Sequence, residues 1–185
     1  NNLNDLIAAA KAAPGTIKAG ITNAASSQFI FGALEKEGDI DLKLVDGGSE
    51  ADKLTSLQGG LLDISVVSAK AAIEYAKAGK IKVLASIAEE RTPGLDYPTT
   101  VEQGFKSVTW DVGVILLGPP NMDPALVEQI SQSLSGITTD EKSKELIENM
   151  GGTAEYMNAA DSLTRMEARD AQIGEMATAL GINVR

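Results

Sequence analysis

The side chains of this chain that could do chemistry are hydroxyls, amides and carboxylates, because His and Cys are both absent from its 185 residues. That absence removes thiol nucleophiles, disulfides, imidazole acid–base catalysis and most transition-metal sites together. What remains is concentrated at turns where an apolar run gives way to a helix-like pattern. Thr22, Asn23, Ser26 and Ser27 lie in AGITNAASSQFIF, Gly47, Gly48 and Ser49 follow the run ending at Val45, and Ser68 follows the run ending at Val67. A helix N-terminus carries unpaired N–H groups and a partial positive charge, so such turns can hold a carboxylate without a cationic side chain. Glycines there allow backbone to approach a ligand closely. Ser and Asn before a helix also serve as N-caps to their own amides, and at this point both readings stand. Asp46 in the second turn can meet an ammonium group or lie in solvent, and Asp63 ends the Gly59-Gly60 turn. The carboxylates Asp63, Glu102 and Asp123 fall on different elements without a nucleophile–base pairing, so no catalytic residue is assigned and no metal or cofactor is expected.

The elements that must position these turns follow from periodicity. Apolar spacing at Leu3, Leu6, Ile7 and Ala10 predicts a helix stopping near Pro14-Gly15, then a strand over 17–21. A helix over 26–36, a strand over 42–45, a helix over 49–57, a strand over 63–67, a helix over 69–78 and a strand over 82–86 follow. This alternation argues for an α/β sheet with mainly parallel neighbours. Further on, 112–117 reads as a buried strand and Asp123-Pro124 starts a helix to about Ser135. Thr138 or Thr139 caps another helix, ending at Met150-Gly151-Gly152. A short strand over 154–157 and a terminal helix over 160–180, closed by Gly181, complete the pattern.

Composition narrows the function classes. At 43% hydrophobic and 23% charged residues the chain can bury an ordinary core, and its apolar runs fall far short of a bilayer-spanning helix. A formal charge of -10 without a basic stripe argues against nucleic acid. The same acidity does not steer an anion inward, so a carboxylate site must rely on local backbone dipoles.

Three segments together resemble a known family. In RTPGLDYPTTVEQGF, Arg91 precedes a proline turn and Thr99 with Glu102 has capping-box spacing. VDGGSEADKLTSLQGGLLDISVVS, residues 45 to 68, and LLGPPNMDPALVEQIS, residues 116 to 131, carry strand, glycine or proline turn, and helix in the same order. This sequence is similar to the extracytoplasmic solute receptors of tripartite tricarboxylate transporters, the Bug family. The resemblance implies a type II periplasmic-binding-protein-like α/β fold with two lobes, the first incomplete in this chain. Residues 1–108 are then the second α/β lobe with ligand-facing βα turns, and 109–185 the C-terminal part of the first lobe with the long terminal helix. The crossover falls near 106–113, where Trp110 is either hinge packing or a ligand stack. It further implies about one hundred residues ahead of Asn1, roughly a domain's worth.

As function, the resemblance implies a non-enzymatic receptor that captures a small organic carboxylate or acidic amino acid by lobe closure and delivers it to membrane permease subunits. It implies a periplasmic or extracellular, membrane-associated location for a protein that is not itself embedded in the membrane. Ser26 and Ser27 match serines of the family's first ligand loop, while Ala24, Ala25 and Phe29 stand where Gly and His are usual. Arg91 and Glu102 are read as loop-tying residues. Bulky replacements of Ser26 and Ser27 are then expected to abolish binding with little change in the ligand-free melting temperature. The alternative is the effector-sensing domain of a transcription regulator, which shares the two-lobed fold and is distinguished by an upstream helix-turn-helix.

Overall fold

A computed structural model describes residues 2–23, 25–91, 95–110 and 113–182. Pro93, Gly94 and the first residue of the 112–117 strand expectation lie outside the described residues, as do Ala24 and part of the expected crossover.

The chain opens with α1 (Leu3–Ala12), whose N-cap Asn2 accepts the Asp5 amide at 2.9 Å. Gly15, at φ +67°, turns the chain, and its amide donates to Asp41 O. Strand β1 (Lys18–Ile21) enters the middle of a parallel sheet of order β2-β1-β3, with β2 (Lys43–Asp46) and β3 (Ile64–Ser65) on its flanks. Parallel neighbours need crossovers, and α2 (Ser26–Gly38) and α3 (Glu50–Gln58) supply them. The Asp63 carboxylate accepts the Lys18 amide at 2.8 Å, so it fastens the edge of the sheet as well as ending the preceding turn.

Helix α2 is buried along most of its length because it is covered on more than one side. Ile30, Phe31, Ala33 and Leu34 join Ala19 and Ile21 of β1 and Leu3, Ile7 and Ala10 of α1 in one apolar cluster that Phe105 and Val108 close. On its outer side, a Cβ built on Gly32 would stand 2.6 Å from a Leu180 methyl, so the glycine admits the end of the terminal helix. Burying these side chains drives the unit together at roughly 25 cal/mol per Å² of apolar surface.

After β3 comes α4 (Ala69–Lys77), and then the strand expected over 82–86 is reduced to a single parallel bridge between Ser86 and Thr99. Ladder pairing fails because the partner at Thr99 turns away at once. Thr99 Oγ1 accepts the Glu102 amide at 3.0 Å and Glu102 accepts the Thr99 amide at 2.8 Å, giving the predicted capping box on a hydrogen-bonded turn and not on a helix. Arg91 Nε reaches both Glu102 oxygens, at 2.9 and 3.0 Å, which is the loop-tying role expected of it.

The second part of the chain is helical: α5 (Pro124–Thr139), α6 (Glu141–Asn149) and α7 (Ala159–Leu180). Asp123 caps α5 with Pro124 in its first turn, as the spacing predicts. Helix α5 runs through Thr139, past the expected stop at Ser135, and Asp140, not Thr138 or Thr139, caps α6. The threonine hydroxyls instead bond back to Ser135 and Gly136 carbonyls. No strand forms over 154–157, where Tyr156 is anchored by its hydroxyl, 2.8 Å from Ser131 Oγ.

The described part of the expected strand over 112–117 is extended but unpaired, and it is not buried. Val114 is fully exposed, and Leu116 and Leu117 are 66% and 73% exposed. An apolar run becomes a buried strand only where another element covers it, and among the described residues none does.

Candidate functional site

Because β2, β1 and β3 are parallel neighbours, their carboxyl ends bring the three predicted turns to one edge of the sheet, where open α/β sheets usually bind ligands. Thr22 and Asn23 leave β1, Gly47, Gly48 and Ser49 leave β2, and Ser68 follows β3. The first two turns are tied directly. Thr22 Oγ1 donates to Gly48 O at 3.0 Å, the Asn23 side-chain amide donates to Asp46 at 2.9 Å, and the Gly47 amide donates to Ile21 O at 2.9 Å.

Asp46 is thus neither a free ligand group nor simply solvated. It accepts from Asn23 and from the Gly48 amide at 3.1 Å, and so holds the two turns at a fixed separation. Gly48 adopts φ +70°, a conformation costly for other residues, and a Cβ on Gly47 would meet Lys53 Cγ at 2.6 Å. Both glycines are required by the protein's own packing, whatever else approaches them.

The serines divide into different roles. Ser49 caps α3 in a complete capping box with Asp52, and hydrogen bonds from the Ser49 hydroxyl and then its amide pull the Asp52 carboxyl below the ordinary range. Ser68 caps α4 through the Ala71 amide at 3.3 Å, while its own hydroxyl donates to Glu50 at 3.0 Å and its amide donates to the other Glu50 oxygen. A protein carboxylate therefore already occupies the outer face of the α4 N-terminus.

Helix α2 differs from these two. Its N-cap is Ala25, and no side chain caps it. Ser26 and Ser27 are the first two helical residues and not caps, which corrects the N-cap reading of them. Ser27, only 3% exposed, turns its hydroxyl inward and accepts the Thr22 amide at 2.8 Å. The expectation that a bulky side chain at Ser27 leaves stability untouched does not hold, because the position is packed. Ser26 is half-buried at the turn itself. Among the described residues, α2 is the one of the three N-termini at this edge that has no side-chain cap.

Elsewhere, two open surface cavities of about 500 and 390 Å³ lie at the opposite, amino-terminal edge of the sheet, lined by Lys11, Glu35 and Asp41 and by Asp5, Ile17 and Asp63 respectively. Neither touches the three turns. Among the described residues no acidic group is arranged to hold a metal ion, and no helix is long and apolar enough to cross a membrane.

A family model described as "Tripartite tricarboxylate transporter family receptor" matches residues 1–182. The chain belongs to that family. No curated protein sequence matches it. Among solved structures, an R. palustris protein solved with adipate is similar at TM-score 0.83 and 19% identity, over 98% of this chain and 61% of that one. The periplasmic binding protein BugD is similar at TM-score 0.74 and 18% identity, over 99% of this chain and 62% of its own. A TctC solute-binding protein from Polaromonas gives 0.70 and 22%, over 97% and 62%. The fold is thus the α/β fold of periplasmic binding proteins, and the chain spans about three-fifths of the structures it matches.

The receptor fold also explains residues that sequence patterning undervalued. Trp110 lies behind the first turn of α2, its ring stacked on that of Phe29 with centroids 5.9 Å apart and an interplanar angle of 19°. Phe29 is 3% exposed and is a packing residue. Over the same indole sits the Arg169 guanidinium of α7, with Cζ 4.2 Å from the ring centroid. Nothing in the sequence spacing joins Phe29, Trp110 and Arg169; only the return of α7 to α2 does.

Arg169 is held on both sides of an energetic balance. Its Nη1 donates to Gln172 at 2.8 Å, while Nη2 is buried with no hydrogen-bond partner among the described residues. A cation over an indole contributes roughly 0.5–2 kcal/mol. A buried donor left unsatisfied costs about 1–3 kcal/mol. Burial, and next the charge of Arg165, pushes its pKa down, so the fold disfavours the cation it holds.

Glu37 does comparable work at the far end of α2. It accepts the Lys106 and Ser107 amides at 2.8 and 2.9 Å and the Ser107 hydroxyl. Burial would raise its pKa, but the Ser107 and Lys106 hydrogen bonds together outweigh that and leave it below the ordinary range.

Proposed function

We propose that this chain supplies the ligand-binding turns of an extracytoplasmic solute receptor, which captures a small organic carboxylate or acidic amino acid and hands it to the permease subunits of a tripartite tricarboxylate transporter. The observation that carries the reading is the α2 N-terminus, open to an anion between two turns that Thr22, Asn23, Asp46 and Gly48 fasten together. Thr22, Asn23 and Ser26 line the carboxylate position, with Gly47, Gly48, Ser49 and Ser68 at the neighbouring turns. Ser27 keeps the first turn in shape. A carboxylate there gains charge-assisted hydrogen bonds from backbone amides, which suits a chain with a formal charge of -10.

Residues 1–108 form the second lobe in this reading and 109–185 the C-terminal part of the first. Ligand bridging both lobes favours the closed arrangement by its differential affinity for it. The protein works without catalysis, cofactor or metal, on the outer side of the cytoplasmic membrane, and the adipate on the R. palustris relative supports a dicarboxylate as the first probe.

Isothermal titration of adipate, succinate, citrate and glutamate into the full-length protein tests this. At least one should bind, and Ser26→Trp should weaken it about tenfold or more by filling the anion position while melting with the unliganded wild type. Equal affinity in the variant removes the assignment of the site. No binding of any of the four removes the carboxylate class.

A further inference from the structure

Helix α7 is the element that touches both parts of the chain. It packs with α5 and with α2, and toward its end Met176 lies on the apolar cluster, Leu180 reaches Gly32 of α2 and Ala177 is buried. Two turns before Met176 stands Arg169, above Trp110 and, through it, Phe29 in the first turn of α2. Gly174 then interrupts the helix interior with nothing within 4 Å of a Cβ built on it. We propose that the Arg169–Trp110–Phe29 stack and the α7 turns that follow it form a poised joint, whose docked and released arrangements are close in free energy and whose seating reports the state of the α2 N-terminus.

The balance at Arg169 is the physical reason. Attraction between guanidinium and indole is offset by the buried, unpartnered Nη2, so the side chain fixes a position without contributing much net stability to it. A glycine in a helix interior, lowering helix stability on the releasing side, adds to the same effect. Elements that move on binding are drawn from such low-stability contacts. The joint's link to ligand rests on the receptor reading; the joint itself does not.

Native-state hydrogen exchange, read by mass spectrometry on peptides of the full-length protein, separates the two. In the wild type without ligand, amides over 170–180 should exchange at least about tenfold faster than those over 29–34, through local opening. Equal protection overturns the joint, and this arm needs no variant. Arg169→Met keeps an apolar body on the indole and removes the orphaned donor, so it should slow exchange over 170–180 about threefold to fivefold. Arg169→Ala, which removes the packing as well, should speed it. Both variants accelerating exchange alike means that Arg169 is ordinary packing, and neither moving it means that the stack does not hold α7; either result overturns the proposal. Adipate, added last, should protect 170–180 in the wild type and less in Arg169→Met. Failure of adipate to bind counts against the receptor reading, while binding with no change over 170–180 removes the joint's coupling to the site.

Discussion

Replacing Ser27 by Ala removes one oxygen from a position 3% exposed and leaves the Thr22 amide, which it accepts at 2.8 Å, without its partner. The lost bond and the stranded N–H together cost about 1–2 kcal/mol, since Thr22 is half-buried and water repays only part. For a chain of this size, each kcal/mol shifts the melting midpoint by about 2–4 °C, so Ser27→Ala should melt roughly 2–8 °C below wild type. Ser26→Ala, one residue earlier and outside that bond, should fall within about 0.5 kcal/mol of wild type, as surface substitutions usually do. Urea unfolding followed by circular dichroism gives both differences, and unchanged slopes confirm that stability alone has moved. If the two alanine variants are equally stable, Ser27 does not hold the turn, and the division between an inward structural serine and a ligand-facing one is wrong.

Further expectations concern the core, the turn and the acids. Leu34→Ala, 3% exposed in the cluster under α2, should cost about 2–5 kcal/mol by urea unfolding. Thr99→Ala, at a fully buried cap, should cost about 0.5–2 kcal/mol and expose the 99–104 turn to proteolysis. Burial raises the Glu35 pKa, against a lowering from the Leu42 amide that bonds it, with the Asp41 charge adding to the rise. A raised folded pKa means stability is lost as pH rises through it, so Glu35→Gln, which keeps an acceptor for Leu42, should gain on the wild type as pH rises above the ordinary Glu value of about 4.3. Glu37 has the opposite sign. Its depressed pKa contributes stability above the unfolded value that is lost as pH falls through the folded one, so the deficit of Glu37→Gln at neutral pH should shrink below about pH 4.

Local chemistry was legible without the structure wherever neighbours in sequence satisfy one another. Asp123-Pro124 starting α5, Ser49 capping α3, Thr99 with Glu102, and Gly181 closing α7 in the left-handed conformation are all short-range arrangements. The alternation of apolar runs and helical spacing gave the parallel α/β order through Ala78 for the same reason. Elements failed where they depend on distant partners. A strand over 82–86 needs a neighbour to pair with, and it finds one residue of one; 113–117 is apolar enough to be buried, yet no described element covers it. Likewise Ser27 looked like a ligand group because the inward turn of its hydroxyl toward Thr22 is set by packing and not by spacing.

The sequence by itself determined the run of helices, several of their caps, the acidic balance, and the absence of thiol and imidazole chemistry, because propensity, capping and composition act over a few residues. Only the tertiary structure decided that three turns share one edge, that Glu50 occupies the α4 N-terminus while α2 has no side-chain cap among the described residues, and that Arg169 lies on Trp110, which stacks on Phe29. Those arrangements follow from sheet order and from α7 returning to pack on α2, which bring residues far apart in the chain within contact through the burial of a shared apolar core.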